Sequence, residues 1–215
     1  MKISNIKKGK SVNNIFEIIF ENGDSIDICA DTIVKFSLKE GLDISEKDYK
    51  SILSFDMSNK ISKEAFSLIS KQFLSSKSLT DKLAKKGYES EDIQETVEKL
   101  KKSGYIDDKK FALSYADHLI SKKKGALFIS SALEKHLIDK TIIAEIVNSL
   151  KENDTPEKQI IEILNTKYKK LNTKDDKAVL KAANFFVQRG FLYEDIEKAF
   201  RKFANIDISN NFAEF

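Results

Sequence analysis

One cysteine, one proline and seven glycines are spread over 215 residues. The single cysteine, Cys29, excludes an intrachain disulfide and fits a reducing, cytoplasmic compartment. It reads as a small, half-buried strand residue. The shortage of Gly and Pro argues against a turn-rich all-β architecture. The N-terminus lacks the apolar stretch and small-residue cleavage site of a secretory signal, and no apolar run reaches the length of a membrane span, so a soluble intracellular chain is expected. Charge of one sign is also scarce. There are 37 Lys and Arg against 34 Asp and Glu, a formal net charge of +3, below the basic excess usual for a protein that wraps duplex DNA. Any contact with nucleic acid must come from local clusters, or through a partner that already holds it.

With 41% hydrophobic and 33% charged residues, the chain has enough apolar content to fold. Its abundance of Lys, Glu, Leu, Ile and Ala favours helix. The first segment differs. Ile15–Phe20 and Ser25–Cys29 are β-rich runs around Glu21-Asn22-Gly23-Asp24, which predicts a hairpin with a type I′ Asn-Gly turn. Ile3 to Ile6 can add a third strand. Asp31 is placed to cap a short helix through Phe36 that Gly41 closes. A second short helix follows Ser45, and this part ends near Ser58-Asn59.

Beyond Ile61 the helical period takes over and the sequence repeats. Lys82-Leu83-Ala84-Lys85-Lys86-Gly87-Tyr88 aligns with Ala132-Leu133-Glu134-Lys135-His136-Leu137-Ile138, and both align with Phe185-Phe186-Val187-Gln188-Arg189-Gly190-Phe191. Apolar residues follow at matching offsets: Ile93, Val97 and Leu100; Ile143, Val147 and Leu150; Ile196, Phe200 and Phe203. The copies lie about 50 and about 53 residues apart. Each reads as three helices: 62–75, 78–86 and 90–102; 107–123, 126–136 and 139–151; 155–170, 173–189 and 193–204. Ser78 with Asp81, and Thr173 with Asp176, resemble capping boxes. Pro156 suits a first helical turn. Gly87 and Gly190 suit left-handed helix ends, whereas Leu137 implies a different ending in the middle copy. The expected organisation is a mainly α chain of three tandem three-helix units in an elongated, curved rod, with a small hairpin-and-helix domain in front. Boundaries are placed at 1–58, 59–106, 107–153 and 154–207, with a tail at 208–215.

No catalytic constellation is visible. His118 has no Cys or His at metal-ligand spacing, and His136 occupies the slot of Lys86 and Arg189, a surface position. No Gly-Lys-Ser/Thr loop occurs, and no metal or cofactor is called for. Asp107 and Asp108 are adjacent acids that could hold Mg²⁺, but capping of the next helix and interaction with its dipole explain them better. The remaining signal is basic. Lys82, Lys85, Lys86, Lys109, Lys110, Lys122, Lys123, Lys124, Lys135 and Arg189 are the candidate contact residues, with further clusters at Lys99, Lys101, Lys102 and at Lys167, Lys169, Lys170. Several recur at the end of the second helix of each copy. Such positions suit phosphate contacts that do not read sequence, or an acidic protein surface, and the dominance of Lys over Arg weakens base readout. Phe66, Phe73, Phe111, Tyr115, Phe185, Phe186 and Phe200 follow helical spacing and read as core.

Several of these stretches are recognisable together. The run from Ser78 through Lys82-Leu83-Ala84-Lys85-Lys86-Gly87-Tyr88, followed by Gly104-Tyr105-Ile106-Asp107-Asp108-Lys109-Lys110-Phe111-Ala112 and then Gly125, Ile129, Leu133 and Ile138, resembles the RecX family. The N-terminal hairpin resembles the extension of its longer members. Ser76-Lys77, His136-Leu137 and the diverged third copy depart from the pattern. The resemblance implies a regulator, not an enzyme. It would lie in the groove of the RecA–single-stranded DNA filament and block its recombinase and co-protease activity, or promote its disassembly. It would also bind DNA weakly without sequence preference; separately, a monomer is expected. Two competing readings are a helical DNA-binding module of the transcriptional-regulator kind and a protein scaffold that uses no nucleic acid.

Overall fold

The computed structural model describes residues 1–9, 14–153, 155–204 and 208. It is mainly helical, with one small antiparallel sheet, and divides into two compact units, 1–106 and 107–215.

The first unit begins with strands β1 (Ile3–Lys8), β2 (Ile15–Phe20) and β3 (Ser25–Cys29) in the order β1-β2-β3. Alternation along β2 and β3 sends Ile18, Phe20 and Ile28 to one face, where they meet Ile3, Leu38, Ile44 and Ile52. The hairpin forms with a different turn from the one expected. Gly23 alone takes a positive φ, +89°, and its N–H donates to the Phe20 carbonyl. Asn22 keeps a negative φ, and its side-chain oxygen accepts from the Asp24 N–H. This is a three-residue loop ending in a left-handed glycine, which tolerates Asn22 without the type I′ geometry.

Helix α1 (Ala30–Lys35) starts after Cys29, not Asp31. Asp31 lies in its first turn and binds Lys63 at 2.5 Å and Asn59 at 3.2 Å. Ser37 at φ +50°, rather than Gly41, ends the helix, with the Leu38 N–H returning to the Ile33 carbonyl. Helix α2 then runs unbroken from Glu46 to Ile69, capped by Ser45. The division expected at Ser58-Asn59 therefore falls inside a helix. Its polar residues are accommodated: the Ser62 hydroxyl donates to the Ser58 carbonyl and the Asn59 amide to Asp31. The first half of α2 covers the sheet through Ile52. Its second half supplies Ile61 and Ala65 to the core of the first helical triplet, completed by α3 (Ser76–Ala84) and α4 (Ser90–Lys102). One helix thus serves two cores.

The second unit holds two triplets, α5 (Asp108–Ser121), α6 (Ala126–Lys135) and α7 (Lys140–Glu152), then α8 (Thr155–Lys167), α9 (Asp176–Gln188) and α10 (Tyr193–Ala204). The aligned residues Leu83, Leu133 and Phe186 are all fully buried at the centres of their cores. Caps differ in detail from expectation. Ser75 caps α3 in place of Ser78, and Asp175 caps α9 in place of Thr173. Each sits where the chain is still extended, so its oxygen can reach N–H groups in the first turn. Ile208, assigned to the tail, is buried against the third core, and 209–215 lie outside the described residues.

The middle triplet ends its second helix as the others do. Leu137 adopts φ +53°, beside +88° at Gly87 and +80° at Gly190, and the Ile138 N–H bonds to the Leu133 carbonyl as Phe191 does to Phe186. The repeat geometry overrides the preference of the side chain.

Candidate interaction surface

The candidate cations fall into separate groups set by helix ends. In the first unit Lys82, Lys85 and Lys86 sit at the end of α3. Lys86 is held by Glu64 at 2.9 Å, and that hydrogen-bonded pair raises its pKa. Lys82 and Lys85 have no carboxylate partner among the described residues.

In the second unit α5 separates two groups. Thirteen residues at 1.5 Å each put Lys109 and Lys122 about 20 Å apart. At its start, Asp107 caps the helix by accepting from the Lys110 N–H at 2.9 Å, and this bond, aided by the Lys110 ammonium, lowers the Asp107 pKa. Asp108 lies in the first turn. No group of three or more His, Cys, Asp or Glu side chains suited to a metal ion occurs among the described residues. Lys109 binds Glu145 at 2.8 Å, which raises its pKa, and Lys110 lies 3.5 Å from Asp107. Lys135 comes to this end as well, because the neighbouring His136 ring packs on Phe111 and Tyr115, with centroids 4.9 and 5.1 Å away. His136 is therefore packed among aromatic rings and is not the surface polar residue its alignment with Lys86 suggested.

Lys122, Lys123 and Lys124 mark the other end. Lys123 takes φ +55° and pairs with Glu162 at 2.5 Å. Lys124 lies over the Phe128 ring at 4.1 Å. Arg189 reaches the same place from the third triplet. Its Nε and Nη2 donate to the carbonyls of Lys123 and Lys122 at 3.0 and 2.9 Å, and its guanidinium stands 5.0 Å from the Phe185 ring centre. The guanidinium thus neutralises carbonyls left open at the end of α5. Lys122 and Lys135 keep ammonium groups without a carboxylate partner among the described residues.

The docking of α6 beside this group was not foreseen. Gly125 precedes α6, has no side chain to cap it, and donates to the Arg189 carbonyl, while Leu127 donates to the Gly190 carbonyl, both at 2.9 Å. The third triplet's turn thus supplies the acceptors that a capping side chain would. Nothing local in the sequence announces such a long-range cap.

Two aromatics expected in the core are outside it. Phe66 is 41% exposed and meets Tyr105 edge-on at 4.8 Å. It follows the buried Ala65, and one residue turns a helix by about 100°. Phe73 is 56% exposed, because α2 stops at Ile69 and leaves it in a loop. Cys29 is buried rather than half-buried. Its N–H donates to Asp56, an acid the sequence reading passed over. Asp56 is 3% exposed and also accepts from the Thr32 hydroxyl at 2.6 Å and pairs with Lys60 at 2.8 Å. The signal was available: residue 56 shares a face with Tyr49 and Ile52, where an acid must have partners.

No helix among the described residues is long and apolar enough to cross a membrane. Residues 64–100 match the family model for the first three-helix domain of RecX. A regulatory protein RecX of Bacillus licheniformis is 30% identical over 204 residues, 94% of this chain and 76% of that protein. One from Caldanaerobacter subterraneus subsp. tengcongensis is 27% identical over 182 residues, 84% and 90% respectively. A crystal structure of a regulatory protein RecX superposes with a TM-score of 0.70 at 20% identity, covering 92% of this chain and 98% of that one. The three-helix units, the identity along nearly the whole chain and the shared fold make this chain a member of the RecX family of regulatory proteins.

Proposed function

We propose that this protein, acting as a cytoplasmic monomer, binds the RecA–single-stranded DNA filament and inhibits its recombinase and co-protease activity, with weak, sequence-independent affinity for DNA alone. The observation that carries the reading is a family membership joined to a set of lysines, half-buried at Lys82 and exposed at Lys85, Lys122 and Lys135, without a carboxylate partner among the described residues. Lys82, Lys85, Lys122 and Lys135 lie at helix ends of three-helix units. Weak contacts of this kind gain strength when several engage one polymer at once, and a filament repeats both its acidic protein surface and its phosphates. Lys86 and Lys109, already paired within the chain, contribute less.

Fluorescence anisotropy with labelled oligonucleotide tests this. Tighter binding to RecA-coated single strands than to bare DNA or to RecA alone is the expected result. Equal affinity for bare DNA and filament would count decisively against the proposal.

A further inference from the structure

The third triplet carries a feature that the candidate cations do not include. A cleft of about 530 Å³ lies between the end of α8 and the outer face of α9, lined by Lys167, Lys177, Lys181, Asn184, Phe185 and Gln188 among others. Its size is in the range of clefts that hold small ligands. Residues 177, 181, 184 and 188 follow one another at helical spacing on one face of α9, opposite the buried Val179, Ala182, Ala183 and Phe186. The lining includes no carboxylate among the described residues. Two other clefts differ in this respect: one, beside α2 and α4, includes Glu95, and another, at the end of α6, includes Glu134 and Asp139. None of the three lysines has a carboxylate partner among the described residues, in a chain where many lysines do.

Three uncompensated ammonium groups select an anion of more than one charge. The Lys167 ammonium sits 3.7 Å from the centre of the Phe185 ring, so one side of the cleft is a cation lying on an aromatic face. Asn184 and Gln188 add amides that both donate and accept, which phosphate alone does not need and a base edge does. Lysines do not impose the bidentate geometry that arginine does. The combination matches a flexible chain of phosphates carrying bases whose edges hydrogen-bond, held at its phosphates by lysine.

We propose that this cleft holds a nucleotide of single-stranded nucleic acid, with backbone phosphates on Lys177 and Lys181 and the base edge at Asn184 and Gln188. This deepens the filament reading, on which it rests for the source of the strand, by naming the component of the partner assembly that the third triplet takes.

The test is binding of a fluorescein-labelled single-stranded thymidine oligonucleotide across a salt series, with the full chain. Lys177→Gln/Lys181→Gln removes two exposed charges and should leave the unfolding transition unchanged. The slope of log affinity against log salt should fall by about 1.4, since each phosphate contact on a single strand contributes about 0.7. Asn184→Ala/Gln188→Ala should weaken binding several-fold with the slope intact. A folded lysine variant that keeps wild-type affinity and slope would overturn the proposal, as would wild-type protein that does not bind the oligonucleotide. RecA ATP hydrolysis measured on the same variants separates the two readings. Lost oligonucleotide binding with inhibition retained supports the cleft and leaves the filament reading standing. Intact oligonucleotide binding through the cleft with no effect on RecA defeats the filament reading alone.

Discussion

Gly125 and Gly190 meet backbone to backbone. A Cβ built on Gly125 would lie 2.3 Å from the Gly190 carbonyl carbon and oxygen, and one on Gly190 would lie 2.4 Å from the Phe128 nitrogen. No side-chain rotation relieves an encounter with main chain. The close approach lets Gly125 and Leu127 donate to the carbonyls of Arg189 and Gly190, fastening the second triplet to the third.

Gly125→Ala should therefore destabilise the second unit by about 3 kcal/mol or more, the upper range for forced overpacking, read as a fall in urea midpoint. A variant as stable as the parent would mean that the two triplets do not meet at this glycine.

Arg189 adds to the same junction. Replacing it with Ala removes two charge-assisted bonds to the Lys122 and Lys123 carbonyls and the contact with Phe185. Loss of about 2 kcal/mol is expected, within the range for hydrogen bonds to charged groups. If Arg189→Ala weakens partner binding with stability untouched, the residue is a contact and not a brace.

Leu137 offers the opposite experiment. It is 73% exposed and held at φ +53°, a conformation that costs a non-glycine residue about 1–2 kcal/mol. Glycine there relieves the strain at the expense of greater freedom in the unfolded chain. Leu137→Gly should raise stability by about 0.5–1 kcal/mol, visible in thermal or urea unfolding. Destabilisation would show that the exposed leucine makes contacts worth more than its strain.

Asp56 contributes to the acid limb of stability in the first unit. Burial alone would push its pKa up, but the Lys60 ammonium, the Thr32 hydroxyl and the Cys29 N–H outweigh burial and hold it below the usual value. A depressed folded pKa contributes stability that is present above the unfolded value of about 3.9 and is lost as pH falls through the folded one. Asp56→Asn should lower stability at neutral pH and flatten its decline below about pH 4. An unchanged acid slope in the variant would assign acid unfolding to other carboxylates.

Much of this fold is readable from spacing. Helices 90–102 and 193–204 have the ends that their apolar period and flanking residues indicate, because each triplet buries one stripe and is bounded by a turn. Three kinds of feature escaped. Ser58-Asn59 looks like a linker by composition, yet α2 passes through it because those side chains bond to neighbouring turns and to α1. Leu137 carries no local sign of a left-handed turn; only its alignment with Gly87 and Gly190 does. The caps and braces at Gly125, Arg189 and Asp56 depend on residues from about 24 to 67 positions away. Of the basic candidates, the sequence supplied positions but not availability. Whether a lysine faces a carboxylate, as Lys86 and Lys109 do, or none among the described residues, as with Lys82 and Lys122, is decided by how helices pack.

The central claim is that lysines of these units without a carboxylate partner among the described residues engage a RecA filament, and RecA ATP hydrolysis on single-stranded DNA, titrated with this protein, tests it most directly. Inhibition that saturates with wild type and falls at least tenfold in potency for folded Lys82→Glu/Lys85→Glu/Lys122→Glu/Lys135→Glu is the predicted result. Hydrolysis unaffected by wild-type protein, or inhibited equally by the fourfold variant, would contradict it.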